Sequence, residues 1–370
     1  MNVVIFIIIL LVLVLVHEFG HFFSAKKFGI RVDEFGFGFP PKLFGYKHGE
    51  TEYTFNLLPL GGFVKIFGED PNEENINGPD KERSFVNKAK WKQAIVLFAG
   101  IFMNFLLGWV LFSIGFMSGL PTSVRSADKN YELQDVNVVI LSVLKDSPAE
   151  KAGLQTGDKI ISLTHMHDGG VHELFKKDIS PESVKSFVLE HPNDEIEVGY
   201  LRAPNSTPNT AKVDIVSKDG VPAIGIAMDE IGTAKLPLFS AIWEGLTLTI
   251  SVTKDTVVGL FKLIADSFRG QGSLESITGP VGMVGIVGNA LEFGFTYLLS
   301  FAALISINLA IINLFPFPAL DGGRLLFLLI EKIKGKALNP KVVNTVNMVG
   351  FVILISLMLV VTYHDIVKLF

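Results

Sequence analysis

The 370-residue chain contains no cysteine. No disulfide can brace an exported domain, and no metal site can use a thiolate, so a bound zinc or iron would have to be held by His, Asp or Glu. Histidine is scarce too, 8 in all, so each position can be weighed singly. Charge is thin: 19% of residues are Asp, Glu, Lys or Arg, against about 25% in an ordinary soluble domain. The net charge of −5 offers no excess of cationic side chains, and no nucleic-acid partner is expected. What is there instead is apolar: 49% of the chain before any of the 35 glycines is counted. That composition excludes a disordered chain and an entirely soluble enzyme, and the length allows two or three folding units.

The apolar residues come in long runs. Residues 3–16 are unbroken, and the run continues through HEFGHFF to Phe23. A secretory signal would want basic residues before the run and small residues at a cleavage site, neither of which is present, so an uncleaved membrane-spanning helix is expected. Residues 94–117 form a second uncharged run, 293–320 a third and 342–363 a fourth. The third helix should stop near Phe315, because Pro316 and Pro318 cannot continue it. Residues 236–268 are apolar but broken by Glu244, Lys254, Asp255, Lys262 and Asp266. They read as an amphipathic helix on the membrane surface or re-entering it, with a broken spanning helix as the alternative.

Basic residues orient these runs. The loop 24–92 is rich in Lys and Arg, with Lys88, Lys90 and Lys92 at its end, and 316–341 carries Arg324, Lys332, Lys334, Lys336 and Lys341. By the positive-inside bias both loops face the cytoplasm, which puts the N-terminus and 119–235 outside. The segment 119–235 holds 12 Lys/Arg against 18 Asp/Glu and alternates short β-type runs (136–144, 159–163, 195–201) with turn signals. Within it, SPAEKAGLQTGDKI (147–160) reads as a short helix ending at Gly153, then a turn into a strand.

His17-Glu18-Phe19-Gly20-His21 is an HExxH motif. On a helix two residues four apart share a face, so both imidazoles can reach one metal, with Glu18 beside them as a general base: the arrangement of a zinc metalloprotease. The competing reading is two histidines and an acid buried by helix packing. At 1.5 Å per residue His17 lies roughly 20 Å along the helix from Val3, inside the hydrocarbon, where ionisable groups are costly and default to function. A catalytic zinc takes three protein ligands and keeps a fourth position open. The best third candidate is Asp321 in Asn313-Leu-Phe-Pro316-Phe-Pro318-Ala-Leu-Asp321-Gly-Gly, whose other reading is the N-cap of a helix over 324–333. A second metal site at His165, His167 and His172 is set against a polar loop, and the loop is the better reading.

Together these residues resemble the site-2 protease family of intramembrane zinc proteases, in its bacterial regulator-of-sigma-E type. The resemblance rests on HEFGH in a first span, GFGFPPKLFGYKHGETEYTFNLLPLGGFVKIFGE (36–69), FAGIFMNF (98–105), SPAEKAGLQTGDKI, and SINLAIINLFPFPALDGG (306–323). It implies one zinc held by His17, His21 and Asp321, with Glu18 as the base. It also implies substrate-binding roles around Asn308, Asn313, Pro316, Pro318, Gly61, Gly62 and Asn104. Asn104 is equally readable as an interhelical hydrogen bond. Segment 36–69 looks like a membrane-associated β-hairpin near whose PLGG (59–62) an unwound substrate can add as a strand, or else a loop closing the site. The outer segment looks like a single PDZ domain where the closest group often has two.

The expectation is therefore an α-helical polytopic membrane protein. Residues 1–118 would form the first half of a protease core (spans 3–23 and 94–117, hairpin 36–69), and 119–235 an inserted extracytoplasmic α/β PDZ-like domain. Residues 236–292 would be an amphipathic surface helix and Gly-rich connector, and 293–370 the second half of the core (spans 295–315 and 342–363). The implied partners are single-span membrane-protein substrates, the lipid bilayer, and a peptide or substrate ectodomain at the PDZ-like domain. The implied place is the cytoplasmic membrane of a bacterium. Two other classes compete. A metal transporter would want charged residues in several spans, which spans two and four lack, and a non-catalytic scaffold is at odds with an intact HExxH.

Overall fold

The computed structural model describes residues 1–70, 72–125, 131–167, 170–175, 177–202, 207–218, 221–270 and 278–369. In chain order the elements are α1 (Asn2–Lys27), β1 (Val32–His48), β2 (Thr51–Ile66), α2 (Glu73–Asn77), α3 (Lys90–Ser118), β3 (Leu120–Ser123), β4 (Gln134–Val143), α4 (Pro148–Lys151), β5 (Lys159–His167), β6 (Gly170–Phe175) and α5 (Pro181–Glu190). Then come β7 (Glu195–Leu201), β8 (Pro208–Asp214), β9 (Val216–Lys218), β10 (Val221–Ala223), β11 (Ile226–Ala234), α6 (Leu238–Phe268), α7 (Pro280–Phe293), α8 (Phe295–Leu314), α9 (Asp321–Lys334) and α10 (Pro340–Leu369). They fall into two compact units. The first holds 1–113, 242–288 and 300–370, the second 114–241 and 289–299.

In the first unit, α1, α3, α8 and α10 are long and apolar enough to cross a membrane. Their outward faces stay apolar, with Val3, Ile8, Val12, Phe19 and Phe23 of α1 and Phe351, Val352 and Leu359 of α10 all exposed, as suits helices solvated by lipid. The third helix ends at Leu314, just ahead of Pro316, as the prolines require. The stretch 236–268 forms one unbroken helix, α6, rather than a broken one. Its Leu248, Val252, Val257 and Leu260 pack on a cluster of Phe112 from α3 and Ala303, Ile307 and Ile311 from α8.

The expected connector after α6 is only partly as foreseen. Residues 271–277 lie outside the described residues, but 280–293 is a helix. Glycines at 282, 285 and 288 weigh against helix on propensity. Asp365 of α10 offsets this by accepting from the backbone N–H groups of Gly279 (3.1 Å) and Gly282 (2.8 Å), donors that a helix start otherwise leaves orphaned.

β1 and β2 form a long antiparallel hairpin whose chain curls so that residues 34–37 face 62–65 on one side and 52–55 on the other. Its outer half exposes Phe39, Leu43, Phe44, Tyr46, Leu57 and Leu58. Its tip bond is made by Glu50, which lies 2.5 Å from Lys26 and 2.5 Å from Arg83. Partial burial works against ionisation there, yet the two cations hold the Glu50 carboxyl below its usual value.

The second unit is a seven-stranded sheet, order β3-β11-β4-β5-β7-β8 with β6 paired to β5, all neighbours antiparallel. Alternating residues such as Val138, Ile140, Ile160, Ile196 and Val198 face α5 (Val184, Phe187, Val188) in one core. The short helix before Gly153 forms as α4, with Ser147 capping it and Gly153 left-handed at φ +81°. A bidentate bond from Arg202 to the fully buried Asp158 (2.7 and 2.7 Å) closes the neighbouring turn, and that carboxylate raises the hold of the Arg202 guanidinium on its proton.

Candidate active site

His17 and His21 sit one turn apart on the inner face of α1, each 6% exposed. Their Nε2 atoms are 3.1 Å apart. Asp321 Oδ2 lies 3.0 Å from the first and 3.2 Å from the second. Three ligands at zinc's usual 2.0–2.1 Å in tetrahedral array would stand about 3.3 Å from one another. The three atoms are therefore spaced as a zinc ion needs, and among the described residues this is the one group of three so arranged. The donor set of two imidazoles and a carboxylate suits zinc as well.

The placement of each of the three has a local cause. Gly20 and Gly100 let α1 and α3 touch: a Cβ on Gly20 would come within 2.4 Å of the Ala99 carbonyl oxygen, and one on Gly100 within 2.3 Å of His21 Nε2. The close approach puts the Val96 carbonyl 2.8 Å from His21 Nδ1, which donates to it. Asn104 Nδ2 lies 3.2 Å from His17 Nδ1. Asp321 is delivered by the turn after α8. The N-cap of α9 is Leu320, without a side-chain capping bond, rather than Asp321. The Asp321 carboxylate is turned to the histidines, so of the two readings of this residue the capping bond is the one not formed. The turn itself carries Ala319 at φ +75°, a conformation costly for a residue with a Cβ. Asn347 of α10 braces it by accepting from the Ala319 N–H at 3.2 Å.

A cavity of about 320 Å³ opens on this point, lined in part by Glu18, Phe63, Val64, Glu69, Asn313 and Arg324. Of the residues expected to bind substrate, Asn313 lines the cavity and Pro316 and Pro318 shape the turn beside it. Asn308 is next to the lining residue Leu309, but its own side chain is not in the wall. Asn104 is fully buried and directed to His17. Gly61 and Gly62 lie just before Phe63, and a Cβ on Gly62 would meet Leu15 Cδ2 of α1 at 2.9 Å. The strand edge at 62–65 therefore runs along α1 beside the cavity.

Three participants were not singled out from sequence. Val96 acts through a backbone carbonyl, which leaves no mark in residue type. Glu69 and Arg324 form an ion pair in the cavity wall, with Arg324 Nη2 also 3.7 Å from Asp70. An arginine three residues after Asp321, next to apolar helix, was a usable signal.

The match to known proteins follows this geometry. Residues 5–357 match peptidase family M50. The zinc metalloprotease RasP of Shouchella clausii (strain KSM-K16) is 31% identical, over 99% of this chain and 98% of that one. The regulator of sigma-W protease RasP of Bacillus subtilis (strain 168) is 32% identical, over 100% and 99%. A PDZ domain of an SdrC-like protein from Listeria monocytogenes is 24% identical over 28% of this chain and 93% of that chain, with a TM-score of 0.20, a score that bears no weight on the fold.

Proposed function

The chain belongs to peptidase family M50, the site-2 proteases, and is a zinc metalloprotease; from that premise we propose that it hydrolyses a peptide bond within or beside the spanning segment of single-span membrane proteins. The observation that carries this is the convergence of His17 Nε2 and His21 Nε2, on an apolar helix of membrane-spanning length, with Asp321 Oδ2 within 3.2 Å, at a cavity that holds Glu18. Bound zinc would supply a Lewis acid for the scissile carbonyl and acidify the attacking water. Glu18 takes the proton from that water and passes it to the leaving nitrogen. Asn313 in the cavity wall offers an amide donor to the carbonyl region, and Phe63, Val64 and Leu309 give that wall an apolar side.

The substrate helix must unwind first, because a helical carbonyl is already bonded. The 62–65 edge has no strand partner on its cavity side among the described residues, so an extended segment can pair with it next to the metal ligands. The exposed aromatic face of the hairpin lies in the membrane, in this reading. The N-terminus and second unit lie outside a bacterial cytoplasmic membrane, with the active site towards the cytoplasm and α6 at the outer interface. The second unit is PDZ-like and screens substrates by size or takes a C-terminus freed by an earlier cut. Substrates of this kind include an anti-sigma factor already cut outside, in keeping with the sigma-W regulator named above, or remnant signal peptides.

Glu18→Gln decides the catalytic part: zinc content should stay and cleavage of a single-span substrate should go. Cleavage that persists removes Glu18 from the mechanism. Single cysteines in this cysteine-free chain decide the topology by labelling from either side. Labelling of the two ends of α6 from opposite sides would overturn its interfacial placement.

A further inference from the structure

Asn104 sits in the middle of α3 with none of its surface exposed. Its Nδ2 is 3.2 Å from His17 Nδ1, while its Oδ1 has no hydrogen-bond partner. In that orientation the amide would donate to Nδ1, which then must carry the lone pair and leave the ring proton on Nε2. Yet Nε2 is the atom aimed at Asp321 and at His21 Nε2. A neutral imidazole that ligates through Nε2 carries its proton on Nδ1. Nδ1–H and an amide NH2 would then face each other as two donors. The two ends of a carboxamide have the same shape, and half a turn about its terminal bond puts the oxygen where the nitrogen stands.

We propose that Asn104 is a positioning residue for His17: its amide oxygen accepts from His17 Nδ1–H, which selects the tautomer and the ring angle that aim Nε2 at the metal. This rests on the zinc reading of the site. His21 supplies the internal parallel. Its Nδ1 is 2.8 Å from the Val96 carbonyl, a group that can only accept. Both ligating rings are thus held from α3 by acceptors. The positions are ordered as antiparallel helices require, 96 opposite 21 and 104 opposite 17. The backbone at Asn104 is fixed in turn, since Ser306 Oγ of α8 donates to its carbonyl at 2.7 Å. Asn104 is absent from the cavity wall, so it acts on substrate only through His17. A hydrogen bond between two helices, the plain alternative for a buried Asn, is made here with a metal ligand.

The test compares Asn104→Asp, which keeps an acceptor and gives up the NH2, with Asn104→Leu, which keeps the size and loses both. Zinc affinity of the purified full chain in detergent is measured by chelator competition, and the visible spectrum of the cobalt-loaded chain reports ligand geometry. Outer-shell partners of ligating histidines are worth about 10–100-fold in metal affinity. Asn104→Leu should weaken zinc by that factor and alter the cobalt bands, while Asn104→Asp stays within a few-fold of the parent on both. Equal loss in the two variants, or no loss in Asn104→Leu, overturns the proposal. If Asn104→Leu fails to fold, Asn104→Asp still decides, because an amide that served as donor could not be replaced by a carboxylate. A parent chain that binds no zinc would instead overturn the reading of the site itself.

Discussion

Each unit of this protein holds a cluster of imidazoles with an acid, and the two clusters are built differently. In the first, His17, His21 and Asp321 turn three lone-pair-bearing atoms on one point, and the remaining ring nitrogens are taken up by Val96 and Asn104. In the second, His165, His172 and His191 lie ring against ring, with centroids 4.2 Å (165–191) and 5.2 Å (172–191) apart, and Phe187 stacks on His172 and His191 at 4.9 and 4.6 Å. Their nitrogens spend themselves on each other and on the backbone. His172 Nδ1 is 3.4 Å from His191 Nε2, and His191 Nδ1 donates to the Phe187 carbonyl at 2.7 Å. His165 Nε2 is 3.4 Å from Asp194, which is nearly half exposed. The side chain of His167 lies outside the described residues. A metal site needs convergent lone pairs, and those come from the partners behind each ring, not from the number of rings.

The sharpest way to break this contrast is to leave the metal and remove the base. Glu18→Gln should lower the cleavage rate by about 10²–10⁴ with zinc content unchanged. Next comes the ligand set. Asp321→Ala should weaken zinc by more than the roughly 100-fold ceiling of outer-shell changes, while Asp194→Ala and His172→Ala leave zinc affinity and stoichiometry as they were. Zinc lost from the His172 variant would mean that the second cluster also binds metal and that the contrast is false.

Each unit also holds a part-buried ion pair made by an arginine. Among the described residues Arg324 is the one Arg or Lys lining the cavity at His17, His21 and Asp321, where Glu18, Glu69 and Asp321 are the acids. Arg324→Met strands Glu69 there, at a cost of about 2–3 kcal/mol. Arg202→Met strands the fully buried Asp158 at a similar cost of about 3 kcal/mol. Thermal midpoints should fall in both, but zinc should leave faster under chelator only in Arg324→Met. Faster loss in both would show that the arginine at the metal cavity has no special link to it.

The His17, His21 and Asp321 group was legible because it is written in side chains at fixed spacing: His17 and His21 four apart in an apolar run, and Asp321 behind two prolines at the end of another. The four long helices were legible because a span must be continuously apolar. What escaped was whatever depends on a distant partner. The Val96 carbonyl and the close contact of Gly20 with α3 exist only once helices meet. α7 hides behind its glycines because its capping acid, Asp365, is about eighty residues away.

The smallest expected effect separates the units by their backbones. The second unit places Asp135, Asp146 and Asn193 at positive φ, residue types that tolerate the left-handed region. The first unit places Ala319 there, two residues before Asp321. Alanine pays about 1–2 kcal/mol for that conformation, and glycine gives part of the gain back in unfolded-state entropy. Ala319→Gly should therefore raise stability by about 0.5–1 kcal/mol, whereas Asn193→Gly should move it by only a few tenths. If the turn is strained in order to aim Asp321, Ala319→Gly should at the same time loosen zinc slightly, by a few-fold in chelator competition. A more stable Ala319→Gly with unchanged zinc affinity would show that the strain is incidental and that Asn347 alone holds the turn.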